Sequence, residues 1–132
     1  MFRRQFLALT GAAAALPTLG FAATDYTPGL VKKHLDQGDT VFLDFKAHWC
    51  TTCRAQERVI SSLKSKNPDY ESKIVFIDVD WDQYGRSDLV KSLRIPRRST
   101  LVALKGDTEI GRIVADTSPK KIQKLMDAAL AA

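Results

Sequence analysis

The sequence predicts an α/β domain built on a mixed, four-stranded sheet flanked by helices. Three observations predict it. TVFLDF (40–45) and KIVFIDVD (73–80) are runs of apolar and β-branched residues that read as buried strands. Helical patterns alternate with these runs, which calls for parallel pairing through right-handed crossovers. Near the C-terminus, STLVALK (99–105) and TEIGRIVA (108–115) flank Gly106-Asp107, so a hairpin adds an antiparallel edge.

From the N-terminus, MFRRQFLALTGAAAALPTLGFA reads as a leader rather than as part of this fold. Arg3 and Arg4 supply a charged start, Phe6 to Leu16 a short apolar stretch, and Pro17 a break. A membrane span needs about 20 apolar residues, more than this stretch offers. Small residues at Gly20 and Ala22 suit cleavage after Ala22, giving a signal peptide over 1–22 and a domain over 23–132. RRQFL resembles the twin-arginine export motif, although an ordinary secretory signal carrying two arginines reads the same way. Either way the expected location is periplasmic. Removing 22 of 132 residues leaves 110, enough for one core; removing Arg3 and Arg4 from 20 basic residues leaves 18 against 15 acidic ones. That mild excess, with no Lys/Arg run, argues against a nucleic-acid partner.

Within the domain, Thr27 to Gln37 places Leu30, Val31, His34 and Leu35 on one face of a short helix that Gly38 ends. After strand 40–45, a long helix runs from Cys50 to about Lys66, with Val59, Ile60 and Leu63 at helical spacing and Asn67-Pro68 as its stop. Strand 73–80 comes next, then a short helix around Ser87 to Leu93. The last helix covers 118–130. Ser118 is its N-cap, Pro119 its first residue, and Ile122, Leu125, Met126, Ala129 and Leu130 its inner face.

The chemistry concentrates in AHWCTTCR (47–54), which holds the only two cysteines. Cys50 follows a strand after a short loop and begins the long helix. Unpaired N–H groups and the positive end of the helix dipole there favour thiolate over thiol. Cys53 lies one turn deeper on the same side. A disulfide closing so short a loop restrains little chain. Reversible thiol–disulfide exchange therefore accounts for the pair better than a structural bridge: Cys50 attacks and Cys53 resolves.

FLDFKAHWCTTCR resembles the active-site segment of the thioredoxin-fold family: a strand, a Trp before the first Cys, CxxC and a helix. TLVALKGDTEIGRIV is similar to that family's hairpin, and the likeness spans nearly all of the mature chain. The resemblance implies a thioredoxin-like fold and protein-disulfide reductase activity carried by Cys50 and Cys53, with no cofactor and no metal. It also implies that Trp49 shields the pair beside the partner-binding surface; the alternative is a plain core aromatic. Asp44, six residues before Cys50, matches the family's buried carboxylate that helps deprotonate the inner cysteine. Burial would raise its pKa into a range useful for proton transfer. The alternative is a strand-end acid facing solvent.

Two departures from the family pattern bear on the site. The family keeps a Lys on the neighbouring strand near this acid, and a gapless match puts Phe76 there; Lys46, an alternate strand residue, is expected to point elsewhere. The family also carries a cis-proline opposite the CxxC, followed by Thr and an apolar strand. Matching Thr100-Leu101-Val102 to that strand puts Ser99 in its place, with Pro96 three residues upstream as the alternative. A non-proline cis bond costs about 2.5–4 kcal/mol, so Arg98-Ser99 is expected to be trans, with a hydroxyl able to hydrogen-bond a thiolate. Arg98, Ser99 and Thr100 join Trp49 as the expected substrate-binding residues. Together with Arg54, Arg94 and Arg97, Arg98 either rings the cysteines, stabilising thiolate and steering acidic partners, or belongs to a plain solvated surface.

Arg58 stands where typical thioredoxins have a mid-helix proline. Its presence and the Thr51-Thr52 dipeptide resemble the C-terminal periplasmic domain of DsbD-type reductases; the Pro-His pair of DsbA-type oxidases is missing. The implied role is that of a monomeric exported reductant of oxidised periplasmic proteins or of an apocytochrome, recharged by a membrane thiol reductase. The alternative is a copper-binding protein using Cys50 and Cys53 with His48 or His34.

Overall fold

Five strands form one sheet in the computed structural model, which describes residues 23–132. The expected leader, 1–22, lies outside the described residues. In chain order the elements are β1 (Thr24–Asp25), α1 (Leu30–Asp36), β2 (Thr40–Lys46), α2 (Thr51–Lys66), α3 (Asp69–Lys73), β3 (Ile74–Asp80), α4 (Trp81–Tyr84), α5 (Asp88–Leu93), β4 (Thr100–Lys105), β5 (Thr108–Val114) and α6 (Pro119–Ala131). The sheet order is β1-β3-β2-β4-β5, parallel from β1 through β2 and antiparallel from β2 through β5. The mixed α/β architecture matches the expectation; the expected strand count of four does not. Two exposed residues, Thr24 and Asp25, carry no alternation to read, so β1 is defined only by its pairing with Ile77 and Asp78. The short helices α3 and α4 escape a periodicity argument for the same reason.

The composition of β2 makes it the middle strand. Val41, Leu43 and Phe45 are fully buried against Val31, Ile77, Val79, Val90 and Val102, on the side covered by α1 and α5. Phe42 turns the other way, to Ile60, Leu63, Phe76, Ile122 and Met126, under α2 and α6. A side chain of this kind contributes about 1.5–3 kcal/mol on leaving water, so the loop after β2 starts from a firmly held strand. Strand alternation places Asp44 and Lys46 on the Phe42 side, beneath α2.

Local signals end the elements where expected. Gly38 (φ +87°) closes α1, and Asn67 caps α2. Gly106 (φ +57°) turns the β4–β5 hairpin, a conformation that costs a residue with a Cβ more than it costs glycine. Ser118 caps α6 by accepting from the Lys121 N–H, with Pro119 in the first turn. Among the described residues no helix is long and apolar enough to cross a membrane.

Candidate active site

Cys50 sits between β2 and α2 as the helix N-cap, in an extended conformation (φ −90°, ψ 116°). Its sulfur accepts a hydrogen bond from the Cys53 N–H at 3.2 Å, the part usually taken by a Ser or Asp oxygen at an N-cap. The 16-residue α2 therefore presents its positive end to this sulfur. Both cysteines are free thiols. Cys50 keeps 3% of its surface and Cys53 1%, which makes Cys50 the outer of the two.

Ser99 lies against both. Its hydroxyl is 3.1 Å from Cys50 Sγ and 3.0 Å from Cys53 Sγ, and the residue is fully buried. Ser99, and not Pro96, is the residue placed against the sulfurs, and every peptide bond of the described residues is trans. Its φ of +62° is a left-handed conformation that residues other than glycine rarely adopt, at a cost of about 1–3 kcal/mol. Internal bonds hold it there: the Ser99 N–H donates to Phe45 O at 2.7 Å, and its carbonyl accepts from the Ala115 N–H at 2.8 Å and from Gln56 Nε2 at 3.0 Å. Both backbone groups of Ser99 are thus engaged within the fold, and its hydroxyl faces the sulfurs as expected. A proline here would lose the bond to Phe45 and demand φ near −65°. Ser99→Pro is therefore expected to destabilise the fold by about 2–4 kcal/mol in urea unfolding. An unchanged midpoint would mean that the loop takes another path.

These contacts separate the two thiols. Burial pushes the Cys50 thiol up, but hydrogen bonds from Cys53, the Ser99 hydroxyl, the Cys53 N–H and the Arg98 side chain outweigh it and bring it down to about 7. Burial and the hydrogen bond to Cys50 push the Cys53 thiol up. One sulfur is poised to be anionic, the other to keep its proton.

Trp49 is half-exposed, so it is no plain core aromatic. Its indole N–H donates to the Asp82 carboxylate at 3.0–3.1 Å, and the Arg98 guanidinium lies 4.5 Å from its ring centroid. Arg54 reaches back to the His48 carbonyl at 2.7 Å. Arg97 instead bonds the Arg98 carbonyl, and Arg94 forms the left-handed cap of α5. The expected basic ring is therefore partial, with Arg98 and Arg54 at the cysteine loop. Thr100 corrects another expectation: its side chain is fully buried, and its hydroxyl donates to Arg97 O at 2.7 Å, so it braces the loop rather than meeting a partner.

Asp44 is buried, not solvent-facing, and one of its oxygens has no hydrogen-bond partner among the described residues. Burial first, then the Asp78 carboxylate, push its pKa up to about 8; Lys46 opposes the shift, while Glu57 and the Cys50 thiolate add to it. Asp78 is its register partner on β3. Lys46 does not point elsewhere: residues two apart on a strand share a face, and its ammonium lies 2.7 Å from Glu57 and 3.6 Å from Asp78. Where the family has a β3 lysine, Phe76 carries the α2 residue Lys64 over its ring, 3.9 Å from the centroid. The cation that opposes the Asp44 shift is thus Lys46 of the same strand, while Lys64 of α2 stands over Phe76. A cavity of about 530 Å³ opens beside it, lined by Phe42, Glu57, Lys64, Phe76 and Asp78 among others.

Sequence reasoning set Lys46 aside and missed Glu57, Lys64, Asp78 and above all Gln56. The alternation rule was enough to find Lys46. For Gln56 the signal is its place between Cys53 and Ile60 on the inward stripe of α2. Among the described residues no three His, Cys, Asp or Glu side chains group as metal ligands would. His34 pairs with Asp39 at 2.9 Å, and His48 is exposed and lies 3.8 Å from Asp82.

Comparison with known proteins agrees with this geometry. The thioredoxin family model matches residues 21–128. Thioredoxin H5 of Oryza sativa subsp. japonica is 35% identical over 79 residues, covering 60% of this chain and 54% of its own. Thioredoxin H2 of Arabidopsis thaliana is 33% identical over 86 residues, covering 63% and 60%. The chain spans about half the length of the two rice thioredoxins it matches. Among solved structures, Trxlp from Edwardsiella tarda EIB202 superposes with a TM-score of 0.69 at 22% identity, covering 80% of this chain and 98% of that one. Mitochondrial thioredoxin 3 from Saccharomyces cerevisiae gives 0.65 at 24% identity, covering 80% and 93%. With the family pattern matched along most of its length and a cysteine pair at a strand-to-helix junction, this chain belongs to the thioredoxin family.

Proposed function

We propose that the protein is an exported thiol–disulfide oxidoreductase that works as a reductant. The observation that carries this is the Cys50 sulfur at the N-cap of α2, within hydrogen-bonding distance of the Cys53 N–H and the Ser99 hydroxyl. Its thiolate attacks one sulfur of a partner disulfide, forming a mixed disulfide and expelling the other partner sulfur as a thiolate. Cys53 then gives up its proton, Asp44 serving as the acceptor, and attacks Cys50 Sγ. The second partner sulfur leaves, and Asp44 returns a proton to a departing thiolate. Two electrons pass to the partner, and a Cys50–Cys53 disulfide remains. Exposed Trp49, with the half-buried Arg98 over its ring, forms the platform beside the reacting sulfur on which a partner chain would lie.

In this reading Ser99 stands at the family's cis-proline position, supported by its place against both sulfurs immediately before β4. Kinship with DsbD-type periplasmic domains is supported by an α2 that runs unbroken past Arg58 and by the Thr51-Thr52 pair. Oxidised periplasmic proteins or an apocytochrome are the proposed substrates of a monomer recharged by a membrane thiol reductase. Export is supported by the leader pattern over 1–22, and a mature N-terminus at Ala23 is its check. The copper-binding alternative joins Cys50 and Cys53 with His48 or His34, and both histidines are turned to aspartates, which weighs against it. Equilibration with glutathione tests the direction of flux. A reductant has a potential near about −270 mV, whereas a value near about −120 mV marks an oxidant and would overturn the proposal.

A further inference from the structure

Gln56 is the one polar residue among the buried positions of α2, where Cys53, Ile60 and Leu63 are its companions. It is fully buried. Its Nε2 donates to Ser99 O at 3.0 Å and to Asp116 O at 3.1 Å, tying the active-site helix to the segments on both sides of the β4–β5 hairpin. Those segments are themselves strained and linked. Ser99 (φ +62°) and Ala115 (φ +57°) are both left-handed, and the Ala115 N–H donates to Ser99 O at 2.8 Å. Both acceptors facing Gln56 are carbonyls, which fixes its NH₂ group toward them and leaves Oε1 with no partner among the described residues. An apolar side chain would remove the unmet Oε1 but would also take the amide donor from the Ser99 and Asp116 carbonyls. What the amide adds over an apolar side chain at this position is therefore its hold on those two carbonyls.

We propose that Gln56 is a positioning residue for the redox pair: by holding the Ser99 carbonyl, it keeps the left-handed turn that sets the Ser99 hydroxyl between the two sulfurs. A hydroxyl carries one hydrogen and can donate to only one sulfur at a time. Beside a Cys50 thiolate it donates to Cys50, 3.1 Å away, and so has no hydrogen left to stabilise an anion at Cys53, 3.0 Å away on its other side. Gln56 thereby biases the site toward an anionic Cys50 and a protonated Cys53. Because the thiolate belongs to the reduced form, Gln56 also shifts the redox balance toward dithiol. The inference depends on the reading of Ser99 given above.

The test is a cycle of Gln56→Met, Ser99→Ala and the double variant in the purified protein. The readouts are the alkylation rate of Cys50 below pH 7 and the glutathione equilibrium. Gln56→Met is expected to slow alkylation about threefold and to move the equilibrium about threefold toward disulfide. Ser99→Ala should do at least as much, and the double variant no more than Ser99→Ala alone. If Ser99→Ala slows alkylation but Gln56→Met does not, the role of Gln56 is overturned while the reading of Ser99 stands. Wild-type behaviour of Ser99→Ala removes both. Additive effects in the double variant mean that Gln56 acts independently of Ser99 and also overturn the proposal. Should Gln56→Met fail to fold, Gln56→Asn keeps the amide but lacks the reach for both carbonyls, and is read the same way.

Discussion

Cys50→Ser is expected to lower disulfide reduction by at least about three orders of magnitude, as loss of a nucleophile does elsewhere. Cys53→Ser, by contrast, should accumulate covalent adducts with its partners. The asymmetry comes from the helix terminus. The Cys50 sulfur receives the Cys53 N–H and is the outer, more acidic thiol, so it alone is ready to attack. Cys53 is more buried and held protonated, so it cannot start the reaction, only finish it. Without Cys53 the first exchange proceeds and the mixed disulfide has no internal thiol to release it. Insulin reduction and non-reducing gels read the two outcomes, and equal residual activity in both variants would refute the attack-and-resolve order.

Asp44→Asn should have two separable effects. Turnover should fall more at neutral than at alkaline pH, because Cys53 needs a proton acceptor most when little of it ionises unaided. Stability should move the opposite way. The unfolded chain loses the Asp44 proton near the ordinary carboxylate range, around 3.8, whereas the folded protein keeps it up to about 8. Unfolding therefore releases a proton between those values, and wild-type stability falls as pH rises through that window. The neutral amide removes this loss, so Asp44→Asn should be more stable than wild type by a few kcal/mol, on the order set by linkage, at pH 8 and show little gain near pH 4. Urea unfolding across pH checks the second effect; a gain independent of pH would mean that the carboxyl titrates normally.

Much of this was legible because it depends on neighbours in sequence. Cys50 becomes an N-cap because an apolar strand, a short loop and a helical pattern follow one another, and Asp44 announces itself as an acid inside VFLDF. Ser118, Pro119, Gly38 and Gly106 are local signals of the same kind. What stayed hidden depends on tertiary contact. Lys64 reaches Phe76 from a helix packed over the strand, and Gln56 looks like any helical glutamine until the ends of the β4–β5 hairpin meet it. Thr100 is buried because it opens a strand buried on both faces, and its hydroxyl turns back to Arg97 O, a contact that the strand pattern does not encode. Lys46 is different: pleat geometry already put it on the face of Asp44, and the error lay in applying the period of two the wrong way round.

The central claim is that the start of α2 holds one sulfur as a reachable anion at neutral pH. The pH dependence of iodoacetamide alkylation, followed separately at Cys50 and Cys53 by mass spectrometry, tests it most directly. The account predicts that Cys50 titrates near about 7 while Cys53 stays unreactive past the ordinary thiol range. Two thiols that both remain inert until about pH 9 or above, where a free cysteine ionises, would contradict it.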